Sequence, residues 1–135
     1  MIGGNSLFGK TAHFKELLFD ERMPFVFEDI DLTHRRYRHI GPIAVSRHNV
    51  IHHMERDKTK LEQSFIATED GVYQKAKNRI LFVKNNANTW QKILFFGEGL
   101  WTNTLRFALF ILLYAQQKGK MLRALRRGTR DGLSA

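Results

Sequence analysis

Hydrophobic spacing along the chain changes character near residue 68. Before that point apolar positions come in short runs. Residues 6–8 read as a strand, and Phe14, Leu17 and Leu18 follow at helical spacing behind Thr11 as N-cap. Phe25 and Phe27 then alternate as in a strand after Pro24. A helix is expected from Glu28 or Asp29, with Ile30, His34, Tyr37 and Gly41 along one face, and Gly41 followed by Pro42 supplies its stop. Residues 43–46 and 49–54 read as two more short strands, and 55–70 as a polar, irregular crossing. Beyond it the period is helical. Tyr73, Ala76, Ile80 and Val83 recur at intervals of three or four, with Lys75, Lys77, Arg79 and Lys84 on other faces. The asparagines of 85–88 interrupt that helix, and a second helical segment over 90–117 has a weak point at 97–99, where two glycines flank Glu98. The pattern predicts a mixed α/β portion over 1–67 and a helical extension over 68–135.

The uninterrupted apolar stretch 107–115 would cover only about 14 Å as a helix, against about 30 Å for a bilayer core. Extending it backwards brings in Thr102, Asn103, Thr104 and Arg106, which suits a buried or interfacial helix better than a transmembrane one. Composition narrows the picture further. With 135 residues, 43% of them hydrophobic, the chain has ample material for a core, which excludes wholesale disorder. It has no cysteine, which excludes disulfides, thiolate metal sites and cysteine nucleophiles and agrees with a cytoplasmic setting. The opening MIGGNSLFGK turns polar at once, unlike a secretory signal, and its paired glycines lack the remaining residues of a phosphate-binding loop. They read as a tight turn.

A net charge of +9 calls for anionic partners, with nucleic acid, anionic lipid and phosphorylated substrates all admissible. Residues 116–135 concentrate that charge: Lys118, Lys120, Arg123, Arg126, Arg127 and Arg130 stand against Asp131 alone. Against this background the stretch FDERMPFVFEDIDL, residues 19–32, stands out, because it gathers Asp20, Glu21, Glu28, Asp29 and Asp31 among phenylalanines. One reading of Glu28 and Asp29 is helix capping, since carboxylates in a first turn satisfy free N–H groups and complement the helix dipole. The other is catalytic: a carboxylate fixed at a strand-to-helix junction can accept a proton from a substrate hydroxyl. Asp29 and Asp31 are not a metal-binding pair on this reading, because residues two apart on a helix point in different directions.

The segment GGNSLFGKTAHFKELLFDERMPFVFEDIDLTHRRYRHIGPIAVS resembles the acceptor-side half of family 2 glycosyltransferases, which have the GT-A fold. The shared features are a Gly-Gly segment, Phe-Asp-Glu, an aromatic F-x-x-E-D-x-D-L and a basic helix ending in glycine. NRILFV, residues 78–83, is similar to the helix after the catalytic domain in rhamnosyltransferase-like members, and LRRGTRDGLSA to their C-terminal ending. The resemblance implies a partial GT-A α/β fold with a helical extension. It makes Asp29 the catalytic base of an inverting sugar transfer, with Glu28 orienting the acceptor. Asp20, Glu21 and the aromatic base that includes Phe19, Phe25 and Phe27 would shape the acceptor pocket.

Of the six histidines, His52 and His53 fall where such enzymes can carry a ligand to the divalent cation, magnesium or manganese, on the donor diphosphate. They face opposite sides of the expected strand, and His53, some two dozen residues after Asp29, is preferred to His52. The family's nucleotide-binding half, with its D-x-D, is not among these residues. The resemblance therefore implies that a nucleotide-sugar donor and a glycan or lipid-linked acceptor meet here only when that half is supplied, as a separate chain or part of a longer one. The rival expectation is a noncatalytic protein docked on the inner membrane face through Arg123, Arg126 and Arg127, or the remnant of a truncated gene. Nucleic acid fits less well, since no nucleic-acid-binding motif accompanies the charge.

Overall fold

The fold was analysed in a computed structural model, which describes residues 10, 15, 17–42 and 68–135. The expected strands at 6–8, 43–46 and 49–54, and nearly all of the helix at 11–18, lie outside the described residues. What is described is helical: α1 (Glu28–His39), α2 (Glu69–Asn86), α3 (Thr89–Leu94), a π-helical turn (Phe95–Gly99), α4 (Leu100–Tyr114) and α5 (Lys118–Ser134). The expected partial GT-A α/β fold is thereby corrected, since the described residues contain no strand. At Phe25 and Phe27 the physical reason is plain: Val26 (φ 63°) and Phe27 (φ 76°) take left-handed backbone, which breaks an extended run.

Local chemistry places the helix ends. Thr68 caps α2, its hydroxyl accepting the N–H of Gly71 at 3.1 Å, and Glu69 and Asp70 sit in the first turn where the dipole favours them. Asn88 opens α3 through a reciprocal capping box with Gln91. α1 closes as its sequence requires, the N–H groups of Ile40 and Gly41 both returning to the Arg36 carbonyl, with Gly41 at φ 124°. At 95–99 the helix widens into a π turn across both glycines.

Packing centres on α2 and α5. Val72 and Ala76 of α2, Ile111 of α4 and Met121, Ala124 and Leu125 of α5 make one buried cluster, flanked by Tyr73 and Phe107. α5 meets α2 through Ala124, Gly128 and Gly132, one small residue per turn. A Cβ at Gly128 would lie 2.4 Å from the Tyr73 carbonyl oxygen, and one at Gly132 would lie 2.9 Å from that of Lys77, so the two backbones touch. α1 packs on the later part of α2 with Asp31, Leu32, Thr33 and Arg36 buried. Tyr37, on the face with Ile30 and His34, is 62% exposed.

Candidate functional site

The acidic stretch is pinned to α2 by asparagines. Asn78, fully buried, donates from Nδ2 to the carbonyls of Phe25 (2.6 Å) and Val26 (2.9 Å), holding the left-handed turn ahead of α1. Further along α2, Asn86 donates to Asp31 Oδ1 at 2.6 Å and to the Phe82 carbonyl at 3.1 Å, while its Oδ1 lies 3.1 Å from His34 Nδ1. Arg35 Nε meets the other Asp31 oxygen at 2.7 Å. The Asp31 carboxylate, fully buried, is thus consumed by internal bonds.

Glu28 and Asp29 stand at the start of α1. The N-cap, Phe27, contributes no side-chain cap, and Asp29 instead accepts the free N–H of Ile30 on Oδ1 at 2.7 Å. Capping and positioning therefore coincide in one half-buried carboxylate. Glu28 is half-buried as well, and its Oε2 has no hydrogen-bond partner although it is shielded from water. Phe27 packs at 5.8 Å from the Phe82 ring. Phe19 is 51% and Phe25 46% exposed, and the Asn78 amide holds the turn between them and α1.

Asp20 stands elsewhere. Its carboxylate takes bonds from the Arg22 side chain (2.7 Å at closest) and from Asn85 Nδ2 (3.1 Å). The Arg22 hydrogen bonds hold its carboxyl below the ordinary range, against a smaller opposing effect of partial burial. Asn85 and Asn78 are seven residues apart on one helix, about 10 Å along its axis, so Asp20 and the Phe25–Val26 turn attach to different levels of α2. Glu21 is exposed. His52 and His53 lie outside the described residues. Among the described residues no group of three or more acids or histidines could hold a metal ion.

A cleft of about 330 Å³ opens beside this turn, between α2 and α4. Phe27, Phe107 and Phe110 give it apolar walls, and Lys75, Arg79 and Arg106 give it charge. Burial, and after it the neighbouring Arg79, pulls the Lys75 ammonium below the usual lysine value; burial likewise lowers Arg79. The sequence gives Lys75, Arg79, Arg106 and Asn78 no site role of their own. Lys75 and Arg79, one helical turn apart, signalled a shared cationic face, but Arg106 joins them only through packing. On α5, Arg123, Arg126 and Arg127 line a wide groove with Lys120, Arg130 and Glu69. Arg127 is partly engaged there, 3.4 Å from Glu69 Oε1 and 5.0 Å from the Tyr73 ring centroid.

Among known proteins, the chain matches no family model, no curated protein and no solved structure.

Proposed function

We propose that the start of α1 is the acceptor side and general-base centre of an inverting glycosyl transfer, as the resemblance to family 2 glycosyltransferases implies. One observation carries the reading: Val26 and Phe27, both at positive φ, immediately precede Glu28 and Asp29. Such backbone costs of order 1–3 kcal/mol per residue, and persists where surrounding groups over-determine it, characteristically at functional sites. Asn78, from the NRILFV segment, is the group that does so here, which joins two separate motifs of the resemblance in one contact. The reading rests on these residues.

In this mechanism Asp29 takes the proton of an acceptor hydroxyl as that oxygen bonds to the anomeric carbon of the donor. The bond from that carbon to the phosphate oxygen breaks on the opposite face, and the nucleoside diphosphate leaves with the electron pair. Glu28, with an unpartnered oxygen, orients the acceptor through a hydrogen bond. Asp20 and Glu21 belong to the segment leading into the turn. The resemblance assigns the divalent cation on the donor to the nucleotide-binding half together with His53, or His52, and no step above runs through it.

The test is Asp29→Asn at the native locus and in the reconstituted transferase. Transfer from the nucleotide sugar should fall at least 10²-fold, the usual contribution of a general base, with donor binding unchanged. Unchanged turnover would sink the assignment.

A second reading, a noncatalytic protein of the membrane surface, is favoured by one specific feature. Trp101 (61%), Leu105 (71%) and Leu113 (63%) of α4 stand exposed. No helix among the described residues is long and apolar enough to cross a membrane, so the contact would be peripheral.

A further inference from the structure

α3, the π turn and α4 follow one another without a break from Thr89 to Tyr114, and this rod is apolar on its outer side as well as its inner one. α3 exposes Trp90, Ile93 and Leu94. α4 exposes Trp101, Leu105, Leu109, Leu112 and Leu113, on the side away from the buried Leu100 and Ile111. Core packing accounts for the inner side alone.

Whether the outer residues make one surface or two depends on the π turn. In it the Leu100 N–H reaches back five residues to the Phe95 carbonyl, so the turn holds one residue more than an α-helical one. One residue is about 100° of rotation in a helix. With it, the exposed side chains of α3 and α4 named above fall within about 120° on one side of the rod. Without it they would spread over about 200°, the α3 row turned aside from that of α4. The extra residue thus joins the two rows into one strip about 35 Å long. Thr102, inside that strip, spends its hydroxyl proton within the helix, on the Glu98 carbonyl at 3.1 Å.

Charge and residue type point to what covers the strip. The chain carries +9, so a second copy approaches it as a like charge and an anionic bilayer as an opposite one. Indole rings favour the boundary between water and bilayer, and both tryptophans of the chain, Trp90 and Trp101, stand exposed on the strip. Glu98, the one acid of residues 89–114, is exposed at the π turn, where its carboxylate suits headgroup depth rather than acyl chains.

We propose that the π turn aligns α3 with α4 so that Trp90 and Trp101 enter the headgroup boundary of an anionic bilayer together, the rod lying flat on it. The proposal rests on the membrane-surface reading above and deepens it: α3 joins the contact, and the register set at 95–99 decides that it does.

Two single-tryptophan variants of the full chain, Trp101→Phe and Trp90→Phe, report on α3 and α4 separately. Each is mixed with vesicles of phosphatidylcholine and phosphatidylglycerol, with and without brominated acyl chains, and its fluorescence is read. Both tryptophans are expected to shift to the blue and to lose about half of their emission to the brominated lipid, as rings held at the interface should. Deleting Gly97 from each variant removes the extra residue at a place where a Cβ would meet nothing within 4 Å. With helix content unchanged by circular dichroism, Trp101 should stay quenched and Trp90 should return to the emission of an indole in water. If the deletion unfolds the chain, the two undeleted variants decide alone. A Trp90 indifferent to vesicles beside a responsive Trp101 overturns the proposal and leaves the membrane-surface reading standing; if neither responds and the chain does not sediment with vesicles, both fall. Blue-shifted emission that grows with protein concentration in the absence of lipid would put a second copy on the strip and also overturns the proposal. So does a folded deletion variant in which Trp90 stays quenched.

Discussion

Asn78 carries more of the local architecture than any charged neighbour. It sits in the middle of α2 with no exposed surface, and its amide donates to two successive carbonyls of the left-handed turn. Removing the amide takes both hydrogen bonds from the turn, a loss of about 1–3 kcal/mol. Asn78→Ala should therefore lower stability by about that amount in urea unfolding. It should also speed hydrogen exchange at Asp31 and Leu32, whose N–H groups depend on how α1 starts. Exchange that stays as slow as in the parent would show that the turn holds itself. At the same scale the acids divide by what surrounds them. Asp31 meets Arg35 and Asn86 and is spent internally, while Asp29 sits half-buried at the helix start and accepts the N–H of Ile30.

Among the elements, the decisive contact is between α2 and α5. Glycine costs a helix about 1 kcal/mol relative to alanine, so Gly128 and Gly132 would by propensity alone be improved by substitution. Packing reverses the sign. A methyl group at Gly128 meets backbone oxygen at 2.4 Å, which no side-chain rotation can relieve, so the helices must separate. Gly128→Ala is expected to cost about 1–3 kcal/mol, read as a lower Tm, whereas the same change at Gly119, with nothing within 4 Å, should be neutral or stabilising. A Tm unchanged by Gly128→Ala would mean that α5 is not seated on α2 as described. The π turn at 95–99 belongs to the same scale: two glycines lower the cost of widening the backbone, and the chain passes from α3 to α4 without leaving helical geometry.

For the whole molecule, the arrangement of charge and apolar surface governs behaviour. α4 buries Leu100 and Ile111 and leaves Trp101, Leu105 and Leu113 outward, and the cationic groove of α5 is a separate feature. Binding to vesicles containing anionic lipid should then have two separable parts. Replacing Arg123, Arg126 and Arg127 by Gln is expected to remove the salt-sensitive part, at about 1 kcal/mol per charge near the surface. Trp101→Ser with Leu105→Ser should weaken the part that survives high salt. Sedimentation with vesicles, at low and high salt, reads both. Binding indifferent to all five changes would exclude the membrane surface as the destination of these groups.

Periodicity and end signals are written in neighbouring residues, and those the sequence determined by itself. The helical recurrence of Tyr73, Ala76, Ile80 and Val83, the stop at Gly41 and Pro42, the asparagine break at 85–88 and the weak point at 97–99 all correspond to features of the fold. Each depends on interactions within a few positions, which is why spacing reveals them. Tertiary structure decided the rest. Phe25 and Phe27 alternate as a strand would, yet a side chain more than fifty positions away fixes the backbone between them in left-handed form. The buried face of α1 became Asp31, Leu32 and Arg36, because Asn86 of α2 offers a partner that pays for burying a carboxylate. The cleft follows the same logic: Phe27, Arg79 and Arg106 come from three separate stretches of chain, and only packing brings them to one space.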